Sequence, residues 1–160
     1  MPTLAEIRAA IAEKIFNLDP SVAVHQYERY AKNTSDLVAI YKSGDEANAR
    51  LHGWHVRRFA TREELVAVGE WTVWHSWRIR GFMSLDDADE SEKLFDTEIE
   101  AIRDAFREDE TLGGLVLENI APSGEAGIQV LASQPVMFAG VLCHSAELGL
   151  TTQHLERSAL

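Results

Sequence analysis

The sequence predicts an α+β domain with a mainly antiparallel sheet of about four to six strands and two principal helices packed on one face. Three observations carry this. Two stretches have apolar residues at helical spacing, near residues 3–16 and 90–107. A strongly alternating aromatic and β-branched run fills residues 71–82. Further short alternating runs separated by turn signals surround them, giving the order helix, strands, helix, strands. With 160 residues and 46% hydrophobic content, the chain suits one domain, residues 1–160.

Thr3-Leu-Ala-Glu6 reads as a capping box, and Leu4, Ile7, Ile11 and Ile15 follow as one apolar stripe. Asn17-Leu-Asp-Pro20 ends that helix. VAVHQYERY (22–30) reads as extended, AKNTSD (31–36) as a loop, DLVAIYKS (36–43) as a strand and SGDEANAR (43–50) as a turn. WHVRRF (54–59) is a strand candidate, whereas ATREELVAVGE (60–70) fits either a short helix or a connection. In WTVWHSWRIRGF, Val73, His75, Trp77 and Ile79 share one face, and Trp74, Ser76, Arg78 and Arg80 the other. Phe95, Ile99, Ile102 and Phe106 form the stripe of the second helix, which Leu112-Gly113-Gly114 interrupts. LVLENI (115–120), GIQVL (127–131) and a run from Pro135 to about Leu150 complete the expected strands, about 36–82 and 115–150 overall. In the last run Phe138, Leu142, His144, Leu148 and Leu150 share a parity, which places Phe138 and Leu142 in the expected core.

Charge is unevenly placed within a net −11. Residues 86–110 hold 12 acids and 3 bases, a net of −9, whereas residues 1–85 hold 10 acids and 11 bases, a net of +1. The overall sign argues against a general DNA-binding protein, whose surface is basic. No run approaches the ~18–20 apolar residues of a membrane span, so no membrane partner is expected. The N-terminus has no signal-peptide core, and the single Cys143 fits a reducing compartment; both point to the cytoplasm.

The acidic lead-in Asp86, Asp87, Asp89, Glu90 and Glu92 offers a partial calcium-loop pattern from Asp87 to Glu98. Glu92 stands where such a loop needs glycine, and its last positions already belong to the helix stripe. The better reading is a helix start capped by Asp89 or Ser91, with acids facing the positive end of the dipole. Asp104, Glu108, Asp109 and Glu110, at the other end, are left unexplained by that reading. His52 and His55 point to opposite faces of a strand, while His75 and His144 share parity with core residues. No nucleophile elbow, metalloprotease helix or phosphate-binding glycine loop is present, so no catalytic residue, metal ligand or cofactor is expected. Arg57, Arg58, Arg78 and Arg80 lie on the two strands of strongest pattern. They read as a solvent face, or as a basic surface that meets the acidic lead-in of another copy, head to tail in a ring.

One long stretch, HSWRIRGFMSLDDADESEKLFDTEIEAIRDAFREDETLGGLVL (75–117), resembles the central segment of tail terminator and neck tail-completion proteins of siphophage-type tailed phages. VMFAGVLCHSAELGLTTQ (136–153) is similar to their long final strand. The resemblance implies a structural, non-enzymatic ring, usually a homohexamer, on the head-proximal end of the tail tube. Such a ring stops tube polymerisation and offers a surface to the head-completion or connector protein. Genomic DNA passes its lumen without sequence-specific binding. Its location is the virion neck, after assembly in the host cytoplasm. The alternatives are a head-completion or head–tail joining protein and, in a different class, a small α+β enzyme or ligand-binding domain with a pocket near His75 and His144. An acidic DNA mimic is disfavoured by the basic strands.

Overall fold

The computed structural model describes residues 1–29, 34–43, 50–138 and 140–159. It is α+β, and its sheet is mixed. In chain order the elements are α1 (Leu4–Phe16), β1 (Ala23–His25), α2 (Thr34–Ile40), β2 (Lys42–Ser43), β3 (Arg50–Ala67) and β4 (Glu70–Ser84). A 3-10 turn (Asp87–Asp89) leads into α3 (Ser91–Glu108), followed by β5 (Gln129–Phe138) and β6 (Val141–Arg157). The strand order is β1-β3-β4-β6-β5, with β2 paired to β3 off this path. β1 runs parallel to β3, which corrects the expectation of a mainly antiparallel sheet only at that edge; the other pairings are antiparallel.

Local chemistry starts α1. Glu6 N–H donates to Thr3 Oγ1 at 3.2 Å and Thr3 N–H to Glu6 Oε2 at 2.6 Å, closing the capping box. Ile7, Ile11 and Ile15 then enter one buried cluster with Phe95, Ile99, Ile102 and Phe106 of α3. The sheet supplies Trp54, Val56, Trp77, Ile79, Ala146, Leu148 and Leu150 to that cluster. Burying each large side chain contributes about 1.5–3 kcal/mol, which outweighs the weak propensity of any single helix turn. A smaller cluster of Tyr41, Leu51, Phe82 and Cys143 is joined by Leu37, Ile40, Val136 and Phe138.

Four expectations are corrected. Residues 36–40 are helical, because Leu37, Ile40 and Tyr41 form a stripe against the smaller cluster; so short an apolar run reads equally well as strand. Residues 115–120 form no strand. Only an isolated bridge joins them to β6, and the buried Asn119 amide donates to Phe106 O at 2.9 Å, tying this stretch to the end of α3. The run from Pro135 to Leu150 is a hairpin, with Phe138 opposite Val141. That reversal puts Phe138 and Leu142 on opposite faces. Phe138 stacks on Phe82 at 3.9 Å, while Leu142 is 52% exposed beyond the last pair of β4 with β6, Ser84–Cys143, and is no core residue. The α3 N-cap is Glu90, in the left-handed region at φ 52° with no side-chain cap; Asp86 accepts from Asp89 N–H, and Ser91 Oγ accepts from Asp86 N–H. The expected loop over 31–33 and turn over 44–49 lie outside the described residues.

ATREELVAVGE is neither helix nor connection. β3 continues to Ala67, and Gly69 at φ 78° lets the chain fold straight back into β4. Among the described residues no helix is long and apolar enough to cross a membrane.

Two of the four acids at the end of α3 also find roles. Asp104 pairs with Arg107, and Asp109 accepts from Gly113 N–H at 2.8 Å and from Lys14 Nζ at 3.0 Å, joining α1 to the loop after α3. The Gly113 amide, then Lys14, hold the Asp109 carboxyl at about 2. Asp109→Ala is expected to cost about 1–2 kcal/mol, as loss of a capping carboxylate does. Urea unfolding of the variant checks this; an unchanged midpoint would show the contacts to be idle.

Candidate functional site

The register of the three central strands sorts the arginines. Arg57 is opposite Arg78, which is opposite Gly149; His55 is opposite Arg80, which is opposite Glu147. Opposed residues share a face. Arg57, Arg78 and Arg80 therefore form two neighbouring rows on the side away from Trp77 and Ile79. Arg58 is paired with Trp77 and sits on the other face, where its Nη1 donates to Thr61 Oγ1 at 3.4 Å. Arg62, opposite Trp74, extends the arginine face.

In-chain partners meet three of the four arginines, Arg62 pairing with Glu64 two residues along β3. Arg78 Nε is 3.4 Å from Glu147 Oε1, and its guanidinium lies 4.3 Å from the Phe59 ring centroid. Gly149 lies beneath it: a Cβ there would press on Leu131 at 3.2 Å and touch Arg78 Nη1 at an ordinary 3.5 Å. Arg57 reaches Glu28 at 3.5 Å while 60% exposed. Arg80 has no ion pair among the described residues and stacks 5.0 Å over Phe82. An open groove of about 370 Å³ lies beside the arginines, between Arg62, Trp74, Arg78 and the turn at 121–125.

The acidic lead-in lies elsewhere, after the end of β4. Asp86 takes hydrogen bonds from Asp89 and from Arg50 Nη1, the latter at 3.2 Å, and these hold its carboxyl below the usual range. Glu90 pairs with Lys93 at 3.0 Å. Asp87, Asp89 and Glu92 are exposed and carry no ion pair among the described residues. Thus the structure places the arginines on one surface and the acids on another, and does not join them within the chain. The calcium-loop pattern fails on geometry as well, since Glu98 is held by His52 Nε2 and Trp54 Nε1.

Among the described residues, a long open backbone edge adjoins the arginine face. From Arg57 to Ala67, β3 is exposed and paired only to β4, because β1 stops at His25, opposite His55. Phe59, Leu65, Val66 and Val68 are exposed apolar residues on this hairpin. Unpaired edges and grouped apolar side chains are what subunit contacts cover.

The histidines are distributed. His52 faces α3, and His55 the opposite side, where Tyr41 Oη is 3.1 Å from its Nδ1. Burial, reinforced by Arg80 and His25, brings His55 down to about 4. His144 Nε2 bonds Ser91 Oγ at 2.8 Å. His75 is opposite Thr152, eight residues along β6 from His144, or about 26 Å at strand rise. Trp77, Ile79, Leu148 and Leu150, all at most 2% exposed, fill the face between them. One pocket holding both histidines is therefore absent. Sequence reasoning did not single out Arg62, Glu147, His154 and Glu156; only pairing across strands brings them beside the named residues.

A scan against protein-family models finds no match, and a search of curated proteins finds no similar one.

Proposed function

We propose that this chain is the tail terminator of a siphophage-type tailed phage, a non-enzymatic ring former on the head-proximal end of the tail tube. One observation carries the reading: an arginine face, where Arg57, Arg62 and Arg78 hold partly exposed ion pairs and Arg80 has none, and an acidic turn, where Asp87, Asp89 and Glu92 have none among the described residues, sit on separate surfaces of one chain. Two unlike, complementary patches make a head-to-tail contact, and such contacts close into rings. Arg57, Arg78 and Arg80 of one copy would meet Asp87, Asp89 and Glu92 of the next, and the open edge of β3 is free to take on strand pairing from a neighbour. Both long helices share one buried cluster with the sheet; on the opposite face α2 covers the end around Phe82, while Arg57 and Arg62 further along are exposed. The tube protein, the head connector and DNA in the lumen complete the proposed set of partners, and the virion neck is the proposed location.

Light scattering at low and high salt, with negative-stain images, tests the ring. Rings of about six copies that loosen in high salt are expected, because screening shortens the reach of exposed charges to about 3 Å at 1 M. The Arg78→Glu/Arg80→Glu double variant is expected to lower assembly at least about tenfold, since like charges then face each other. Unchanged assembly would remove these arginines from the contact. A chain that stays monomeric and caps no added tail tubes would overturn the terminator reading.

A further inference from the structure

We propose that His75, His154 and Glu156 form a binding site for a divalent transition metal of the zinc class. β4 and β6 pair with Val73 opposite His154 and His75 opposite Thr152. His154 and Glu156 are two apart on β6, so all three side chains stand on the helix-facing side of the sheet. They lie at the end of that face remote from the acidic turn. One potential donor atom from each falls within 4.8 Å of the others.

The geometry is close to what a tetrahedral ion requires. With metal bonds of about 2.0–2.1 Å, neighbouring donors stand about 3.4 Å apart. His154 Nε2 is 3.0 Å from Glu156 Oε1, and the two imidazole centroids are 5.1 Å apart. A side-chain adjustment of about 1–1.5 Å brings the third donor in, within the range that rotamer changes supply.

Three further features separate this cluster from an ordinary ion pair. His75 is 5% exposed and His154 2%, so two imidazoles are held side by side out of water. Nδ1 of His154 is buried without any hydrogen-bond partner, so the ring is engaged only through Nε2, the nitrogen beside Glu156. His75 Nδ1 sits 2.8 Å from Thr61 Oγ1. When Nδ1–H donates to that hydroxyl, Nε2 presents its lone pair, and outer hydrogen bonds of this kind orient metal-binding imidazoles. Two neutral imidazoles and one carboxylate suit zinc and its neighbours better than calcium or magnesium, which prefer oxygen donors. Glu156, with its side chain 47% exposed, opens the site to solvent and leaves a fourth position for water. A bound ion would fasten β4 to β6 towards the turn end of the long β3–β4 hairpin, whatever the oligomeric state of the chain.

The test uses the full chain, stripped with chelator and titrated with Co²⁺, then Zn²⁺. One equivalent of Co²⁺ with the visible bands of a four-coordinate ion is expected, displaced by Zn²⁺, together with a Zn²⁺-dependent rise in Tm. Glu156→Gln, at a half-exposed position that leaves folding intact, is expected to weaken binding at least about 100-fold, and Thr61→Val about 10-fold or more. His25→Gln, away from the site, should bind as the parent does. No saturable binding at micromolar metal, or unchanged binding in Glu156→Gln, would overturn the site.

Discussion

Trp54→Ala is expected to destabilise the chain by about 3–5 kcal/mol, the range for removing a buried aromatic. Trp54 is fully buried on β3, stacks on Phe95 of α3 at 5.7 Å, and donates its indole N–H to Glu98 Oε1 at 2.5 Å. The truncation therefore opens a cavity where β3 meets α3 and removes one of the two donors on a partly buried carboxylate. Gly81, opposite Trp54 on β4, makes room for the ring: a Cβ there would lie 2.4 Å from Trp54 Cε3. Gly81→Ala is accordingly expected to cost about 1–3 kcal/mol through overpacking. In a Trp54→Leu background that cost should shrink, because the clashing atoms are gone, with a coupling of about 0.5–3 kcal/mol. Urea unfolding of the four proteins measures the cycle. Strict additivity would show that the glycine is not there for the indole.

The second large effect is acid destabilisation between about pH 6.5 and pH 4. His55 is 4% exposed and brought down to about 4 from its ordinary 6.5. Burial is the main cause. Arg80, His25 and Arg57 add to it, Glu28 opposes it, and Tyr41 Oη bonds the ring. Across this window the unfolded chain binds a proton that the folded chain refuses. The His55 contribution to stability is therefore full above about 6.5 and declines as pH falls towards 4, by at most about 3 kcal/mol at ~1.4 kcal/mol per unit. Asp109, held at about 2, acts only below its ordinary 3.8, outside the window. Urea midpoints at about pH 7 and about pH 4.5 should differ less in His55→Gln, which keeps a polar side chain but does not titrate. Equal slopes in parent and variant would assign the acid sensitivity to other groups.

Some of the candidate surface was legible from residue order. The alternation in WTVWHSWRIRGF placed Arg78 and Arg80 together and away from Trp77, as the register and burial show. The acidic lead-in was read rightly as a helix start, although Asp86, Glu90 and Ser91 divide the capping differently from the expected Asp89 or Ser91 cap. Arg57 could not be separated from Arg58 without the pairing of β3 with β4. The same holds for His154 and Glu156, which are distant in sequence from His75 and meet it only across two strands.

The sequence by itself determined the elements whose periodicity is strong and local: α1 through its capping box and isoleucine stripe, α3 through Phe95, Ile99, Ile102 and Phe106, and β4 through alternation. Local hydrogen bonds and a single apolar face specify such elements without reference to distant residues. Tertiary structure alone decided the rest. Leu37 and Ile40 became helical because their stripe packs on Phe82 and Cys143, and the glutamates and alanines of ATREELVAVGE became strand because β4 pairs with them after Gly69. Leu142 kept its parity but lost its core place, since burial depends on what covers a position as well as on which way it points. A short segment gains too little from its own propensity to choose a conformation, so the partner that buries it or pairs with it makes the choice.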